Sequence, residues 1–461
     1  MIKDLLRRFT ILVAAIPILL YPMGAEAATR LQDTGDKLVV VIDPGHGGDN
    51  QGTLENNHEE KFMTMVTAQA MYDELIKYDN VEVYLTRTED IKMSLAERAE
   101  FAASVDADFM FSIHYNASEN HELFGSEVWV SSVSPYNGYG LQFGYEFLTE
   151  ARDMGLLVRG VKTRLGDKGD YYGIIRESVE RNLPALIIEH CHVDNEMDTD
   201  FCDSEADLKA FGIADARAVA KYFGLSSSKL GVDYSGHDLI DASATSLNSI
   251  TKNDDTEPDI CQISLSSDEG YGSDGILTID VAAADFDTPL MYYSYSLDGG
   301  VTFCEREVWP GCDALTGAYS DTFQLDLEVP ANVTPEIIFR AYNPYDLYTD
   351  SNLLTGPERV VEETHGSGPD NRDGAGPASG ETAAASGEKE YPGTTTFRPA
   401  VSESVEEEQE VSLLSFLKLC LAFVVLLFIT VFVSQCISYQ KRRKRRRQRR
   451  NEFGDRRNQI K

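Results

Sequence analysis

Three short apolar runs in this chain each lead into a residue able to do chemistry. Leu38-Val39-Val40-Val41-Ile42 runs into Asp43-Pro44-Gly45-His46-Gly47-Gly48. Phe109-Met110-Phe111-Ser112-Ile113 runs into His114-Tyr115-Asn116-Ala117, and Ala185-Leu186-Ile187-Ile188 runs into Glu189. Short buried strands that deliver polar residues at their C-terminal ends are how open α/β sheets build active sites. Two imidazoles and a carboxylate converging there make a zinc site of the kind that activates water, which points to a metal-dependent hydrolase. The residues by themselves leave a second reading open. Each histidine can equally be an ordinary polar residue at a strand end, since the two are far apart in sequence and no H-E-x-x-H motif is present.

The elements that must position these residues follow from the pattern around them. Between residues 37 and 225, strands are expected at 38–42, 81–85, 109–113, 127–131 and 185–188, with helices between them. One helix starts near Glu60 and sets Phe62, Met65, Val66, Tyr72, Leu75 and Ile76 on one face. Others cover 94–104 and 206–222. Strand–helix alternation predicts an α/β domain with a mixed or mostly parallel sheet covered by helices. Residues 226–257 are polar and rich in Ser, Asp and Thr, and read as a linker. From 258 to 357 the texture changes to short strands at 263–267, 275–283, 291–297, 322–329 and 337–342, with a turn at Asp298-Gly299-Gly300 and no helical pattern. That suggests an all-β, Ig-like or fibronectin-like sandwich.

The ends of the chain concern location. Lys3, Arg7 and Arg8, an apolar run over 11–20, and Ala25-Glu26-Ala27 make a secretory signal peptide over residues 1–27. Residues 358–410 are rich in Gly, Ser, Thr, Glu and Pro and are expected to form a disordered stalk. Leu413 to Ser438 is almost wholly apolar, long enough to span a bilayer as one transmembrane helix. The basic tail over 439–461 should stay in the cytoplasm. The protein is therefore expected at the cell membrane, single-pass, with its main body outside. The net charge is −35, although the stretch from Lys441 onward is strongly basic. An ectodomain so acidic does not bind nucleic acid by charge, and no nucleic-acid partner is expected. Of seven cysteines, Cys420 and Cys436 fall in the apolar run and five remain outside it. An odd number leaves at least one without an internal partner. Cys304 and Cys312 are close enough to close a small loop. The absence of any C-x-x-C pair excludes a cysteine zinc ribbon.

Taken in order, Asp43-Pro44-Gly45-His46-Gly47-Gly48, Glu60-Lys61, Thr86-Arg87, Leu95-Ala96-Glu97-Arg98, Ser112-Ile113-His114-Tyr115-Asn116, Arg159-Gly160-Val161-Lys162 and Glu189 resemble the zinc-dependent N-acetylmuramoyl-L-alanine amidases of the family 3 type. The resemblance covers about residues 39–223 and none of the second domain. It implies cleavage of the amide between N-acetylmuramic acid and L-alanine in peptidoglycan, with Zn2+ as cofactor. Carried onto this chain, the family's metal ligands match His46, Glu60 and His114, and its catalytic glutamate matches Glu189. Two neutral imidazoles and one carboxylate leave a position on zinc open for water. Glu189 would then take a proton from water and hand it to the leaving amine. On residue type alone Glu59 reaches the metal as readily as Glu60; the family pattern, with its ligand just before the Lys, selects Glu60. The segment Glu189-His190-Cys191-His192 departs from the family, which usually has small and apolar residues there, while Asn195 matches a later family Asn. His190, Cys191 and His192 are expected either to pack at the domain edge or to alter metal binding and substrate fit. Two rival functions remain: a zinc peptidase cutting a peptidoglycan stem bond, and a non-catalytic wall-binding scaffold. The partner of the β-sandwich is not legible.

One expectation is testable on the sequence reading alone. Deleting residues from Leu413 onward should move the protein from the membrane fraction into the medium, read by fractionation. Persistent attachment would instead make the apolar segment over 11–20 the anchor.

Overall fold

Six strands form the first sheet: β1 (Leu38–Pro44), β2 (Val81–Leu85), β3 (Phe109–Asn116), β4 (Ser126–Val130), β5 (Val158–Lys162) and β6 (Ala185–His192). The central runs are apolar along their length and buried on both faces, which a parallel sheet covered on both sides requires. The computed structural model describes residues 37–359 apart from 56–57, 243–252, 267–270 and 272–275. The expected signal peptide, stalk, transmembrane run and basic tail lie outside the described residues. Among the described residues no helix is long and apolar enough to cross a membrane.

The strand order is β2-β1-β3-β6-β4-β5. β2, β1, β3 and β6 are mutually parallel. β4 runs antiparallel to β6, and β5 runs parallel to β4. The sheet is thus mixed and mostly parallel, as the alternation of elements implies. Among the described residues six helices follow in chain order: α1 (Glu60–Leu75), α2 (Leu95–Ser104), α3 (Tyr136–Asp153), α4 (Gly173–Glu180), α5 (Glu196–Thr199) and α6 (Glu205–Tyr222). Alternate strand residues serve opposite faces. Val40, Ile42, Phe111, Ile113 and Leu186 pack with Met71, Phe143, Phe147 and Val219 from α1, α3 and α6. Val41, Met110 and Ile187 pack with Ala102 and Ile174 from α2 and α4. Capping boxes at Ser94–Glu97 and Ser204–Asp207 start α2 and α6, each satisfying otherwise orphaned backbone donors.

Two features depart from the sequence pattern. The expected apolar stripe of α1 is only partly its buried face: Leu75 is buried and Val66 and Tyr72 pack against the core, but Phe62 and Ile76 are half exposed. Met63, Thr64, Thr67, Ala68, Met71 and Leu75 are the residues turned inward. The reason is the close approach of α6. A Cβ on Gly212 would lie 2.3 Å from the carbonyl oxygen of Thr67, so this face needs small side chains. The threonine hydroxyls there find partners, Thr67 on Tyr115 and on the Leu208 carbonyl, and Phe62 lies beneath the Lys61 ammonium at 4.7 Å. The other departure is α3, whose glycines disfavour a helix. Gly140 and Gly144 are tolerated because Val130 and Val161 occupy the space their Cβ atoms would need.

The second region holds β7 (Ile260–Leu265), β8 (Ile276–Ala284), β9 (Tyr292–Ser296), β10 (Thr322–Glu328), β11 (Glu336–Tyr342) and β12 (Tyr348–Asp350). β7, β8 and β10 form one antiparallel sheet. β9, β11 and β12, with the short Glu307–Val308 strand, form another. Ile263, Ile279, Val281 and Leu327 of the first share a core with Trp309, Ile337 and Phe339. Cys304 and Cys312 are both free thiols, so the small loop they could close is not bridged, and Cys191, Cys202 and Cys261 are free as well.

The stretch expected to be a linker begins as packed chain. Ser226–Ser227 pairs with Val232–Asp233, Leu230, Tyr234, Leu239 and Ile240 pack on the α/β core, and His237 meets Glu146 at 2.9 Å. The β-rich region also docks on the α/β region. Met291, Tyr292 and Tyr342 join the α/β core, and a charged cluster seals the junction. Arg159 donates to Glu127 at 2.8 Å, to the Tyr292 hydroxyl at 2.8 Å and to Asp346 at 2.9 Å. Lys162 donates to Glu127 at 2.6 Å and to the Pro344 carbonyl. Arg159, Lys162 and Glu127 are all buried. Burial opposes ionisation of Glu127, yet Lys162 and Arg159 outweigh it and hold the carboxyl well below its usual range.

Removing that carboxylate charge leaves two buried cations with too few anions. Glu127→Gln should destabilise the protein by about 3–5 kcal/mol, measured by urea unfolding. Because the folded-state pKa is depressed, the stabilisation from Glu127 is in place above about pH 4.3, the ordinary glutamate value, and fades as pH falls below it. The stability gap between the wild type and the variant should therefore narrow in acid. A gap that stayed constant from neutral pH to pH 3 would contradict the assignment.

Candidate active site and metal centre

β1, β3 and β6 are neighbours in the sheet, and their C-terminal ends lie together. His46 follows β1, His114 lies near the end of β3, and Glu189 sits in register beside His114 on β6. Glu60 opens α1, where a helix N-terminus favours a carboxylate. The structure brings His46, Glu60 and His114 into one cluster, with one ligand atom of each within 4.8 Å of the others. His46 Nε2 is 3.0 Å from Glu60 Oε2, and His114 Nδ1 is 3.0 Å from Glu60 Oε1. Two backbone donors also serve this carboxylate, Thr53 N–H at 2.9 Å and Tyr115 N–H at 3.1 Å. Burial works against the Glu60 anion, but the hydrogen bonds from His114 and His46 prevail and its carboxyl stays far below the ordinary range. Burial likewise works against a charged His46, and Glu60 overcomes it, raising that imidazole above its usual value. Glu59 does not take part; its side chain is partly exposed, and its nearest cation is Lys61 at 3.8 Å.

The loop carrying His46 is held by residues that the motif contains but whose role the sequence does not state. Asp43 accepts from Thr86 at 2.5 Å, Ser112 at 2.9 Å and Arg98 at 2.7 Å. Arg98 also donates to the carbonyls of Pro44 and His46. Arg87 donates to the carbonyls of Pro44, Gly45 and Lys61. This tie matters because His46 has a φ of 61°, a left-handed conformation that a non-glycine residue holds only when its surroundings impose it. Asn50, which the motif reading leaves out, faces His46 Nδ1 at 3.0 Å. It fixes the ring so that Nε2 points to Glu60, the support that metal-binding histidines usually have on their second nitrogen.

The donor set fits a zinc ion. Two imidazole nitrogens and one carboxylate oxygen are the ligands of open catalytic zinc sites, and bonds near 2.0–2.1 Å place tetrahedral donors about 3.4 Å apart. The backbone is shaped around these ligands. A Cβ on Gly45 would come within 2.3 Å of the His114 ring, and one on Gly52 would lie 2.5 Å from Glu60 Oε2.

Glu189 is not a fourth member of the cluster. One of its carboxylate oxygens is buried without a hydrogen-bond partner. Burial first, then the Glu60 and Glu127 charges, push its carboxyl well above the ordinary range. Such a group is suited to hold and release a proton. The neighbours His190, Cys191 and His192 are fully buried, so they do not pack at the domain edge, and none joins the cluster. Asn195 caps α5 and ties it to the His121 carbonyl.

A model of the N-acetylmuramoyl-L-alanine amidase family matches residues 40–221. The chain is 33% identical over 192 residues to the N-acetylmuramoyl-L-alanine amidase CwlM of Bacillus licheniformis, covering 41% of this chain and 70% of that protein. This chain belongs to the N-acetylmuramoyl-L-alanine amidase family. The sporulation-specific N-acetylmuramoyl-L-alanine amidase of Bacillus subtilis is another relative, 31% identical over 212 residues, with 45% of this chain and 78% of that protein covered. Among solved structures, the catalytic domain of the amidase CwlV from Bacillus (Paenibacillus) polymyxa var. colistinus is 28% identical, covering 40% of this chain and 97% of that one, with a TM-score of 0.35. The stretch matched to the amidase family contains all four expected site residues and ends before the β-rich region.

The two adjacent glutamates give a sharp test. Glu60→Gln should weaken zinc binding strongly, whereas Glu59→Gln should bind as the wild type does, with both read by competition against a chromophoric chelator. Equal losses would show that both carboxylates reach the ion.

Proposed function

We propose that this amidase hydrolyses the amide between N-acetylmuramic acid and L-alanine in peptidoglycan, using a zinc ion held by His46, Glu60 and His114 and a proton carried by Glu189. The observation that carries the reading is the clustering of those three donors at the C-terminal ends of the sheet's inner strands, with the buried Glu189 in register beside His114. Zinc bound there would supply Lewis acidity, polarising the scissile carbonyl and bringing the pKa of water from 15.7 toward about 7.

The protein's own groups do the rest. Glu60 bridges the two imidazoles and limits how far either can turn. The Asp43, Arg87 and Arg98 network keeps the 43–46 loop in its strained path, so little reorganisation is needed when substrate arrives. Glu189 takes the proton of the attacking water and delivers it to the leaving nitrogen. An amide requires this, because an unprotonated amine anion is a very poor leaving group. The raised pKa of Glu189 makes its carboxylate the stronger base, which favours the first half of that transfer.

The surrounding organisation completes the proposal: a signal peptide at 1–27, catalytic domain at 37–225, connecting segment at 226–257, Ig-like or fibronectin-like β-sandwich at 258–357, stalk at 358–410, transmembrane helix at 413–438 and cytoplasmic tail at 439–461. The basic N-terminus with its apolar run, and the apolar stretch followed by an Arg-rich tail, support a membrane-anchored enzyme facing the wall.

Glu189→Gln should retain zinc and the fold but lose at least about a hundredfold in turnover, since a general acid–base group contributes at least that much. Turnover is read as new muramic acid and L-alanine ends released from purified peptidoglycan. Loss of zinc from Glu189→Gln would make Glu189 a ligand and refute its role as the proton carrier.

A further inference from the structure

We propose that the buried His190–Asp215 pair is a positioning device for the metal centre, acting through the single peptide unit between His114 and Tyr115. The inference rests on the metal-site reading above and concerns residues that no part of the proposed reaction uses. His190 and Asp215 have fully buried side chains. His190 Nδ1 lies 3.0 Å from the His114 carbonyl oxygen. A carbonyl can only accept, so Nδ1 carries a proton and donates it. His190 Nε2 lies 3.0 and 3.2 Å from the two oxygens of Asp215 on α6, and one proton is shared along that edge. The ring is also clamped by Tyr115, stacked at 5.0 Å, and by Phe147 and Phe211, edge-on at 5.4 and 4.8 Å. Its orientation is thus set from all sides.

The peptide unit it grips is the informative part. The C=O of His114 accepts from His190, and the N–H of the same peptide, on Tyr115, donates to Glu60 Oε1 at 3.1 Å. That Glu60 oxygen is the one that meets His114 Nδ1. Rotation of this peptide plane would therefore shift His114 and Glu60 together, two of the three proposed ligands. Hydrogen bonds in such a chain polarise one another, so a donor on the carbonyl strengthens the N–H at the other end. The local backbone explains why a side chain is used. The pairing of β6 with β3 shifts register between Glu189 and His192. A bulge leaves a residue out of the regular ladder and re-aims its neighbours, here immediately after Glu189. The His190 ring takes hold of the carbonyl at that irregularity.

The test uses the full chain and separates positioning from packing. His190→Leu combined with Asp215→Leu removes donor and charge together, leaving no unpaired buried ion, a replacement that proteins often tolerate. His190→Asn combined with Asp215→Leu restores an N–H near the position of Nδ1. Zinc affinity is measured by chelator competition, and ligand geometry by the visible absorption of the cobalt(II)-loaded protein. The double-leucine variant should bind zinc at least about tenfold more weakly, the usual size of an outer-shell effect, with a shifted cobalt spectrum. The asparagine variant should recover much of both. Wild-type affinity and spectrum in the double-leucine variant would overturn the proposal while leaving the metal site standing. So would equal losses in both variants, which would mark a packing defect. If wild-type protein itself bound no zinc, the metal-site reading would fail instead. Should the double-leucine variant not fold, Asp215→Asn takes its place. It should show a smaller loss of affinity in the same direction with a shifted cobalt spectrum, and wild-type values for both would overturn the proposal.

Discussion

Glu60 has to be an anion inside the protein, and much of the site is arranged to meet that condition. A buried carboxylate is costly unless its lone pairs are occupied by donors or opposite charge. Here it receives backbone N–H groups from Thr53 and Tyr115 and faces imidazoles from His46 and His114. The four partners come from the ends of two strands and a loop, while Glu60 itself comes from a helix start. Forming this one constellation therefore ties β1, β3 and α1 into a single geometry. The Asp43, Arg87 and Arg98 network then serves the same end from beneath, because the loop bearing His46 takes a backbone path that it would not adopt by itself.

A second set of buried charges links the α/β region to the β-rich region. Within the α/β region, Glu127 faces two cations, Arg159 and Lys162. Asp346 of the β-rich region supplies another carboxylate, and Pro344 a carbonyl. Glu127 also stands opposite Glu189 across the β4–β6 ladder. The β-rich region thus completes an electrostatic arrangement that starts next to the proposed proton carrier. That gives it a structural part beside the site, separate from any partner its outer surface binds.

How much of this was legible in the sequence depends on the kind of signal. Strand positions 38–42, 81–85, 109–113 and 185–188 lie within strands of the structure because buried parallel strands need unbroken β-branched and apolar runs, a local property. The helices expected over 94–104 and 206–222 match α2 and α6, whose starts the structure shows held by capping boxes within four adjacent residues. The inward face of α1 was legible only in part, through Leu75, Val66 and Tyr72. Its hydrophobic stripe pointed to Phe62 and Ile76, whereas the close approach of Gly212 demanded small side chains instead. α3 was covered only by the general expectation of helices between strands, and its glycines are accommodated because Val130 and Val161 occupy the space beside them.

The sequence by itself determined the chemistry: which residue types stand at strand ends, and in what order. That was enough to nominate His46, Glu60, His114 and Glu189, because ligand identity and motif order are one-dimensional properties. Residue type alone left Glu59 and Glu60 equal and the family pattern favoured Glu60; the tertiary structure gives the physical reason, since adjacent residues at a helix start point in different directions and Glu60 faces both imidazoles. Only the tertiary structure showed His190 gripping the His114 carbonyl, with Asp215 as its partner from a distant helix, and Asp346 answering charges nearly two hundred residues earlier in the chain. These are pairings between buried polar groups remote in sequence. No local pattern encodes them, because each group needs a partner only once folding has removed it from water.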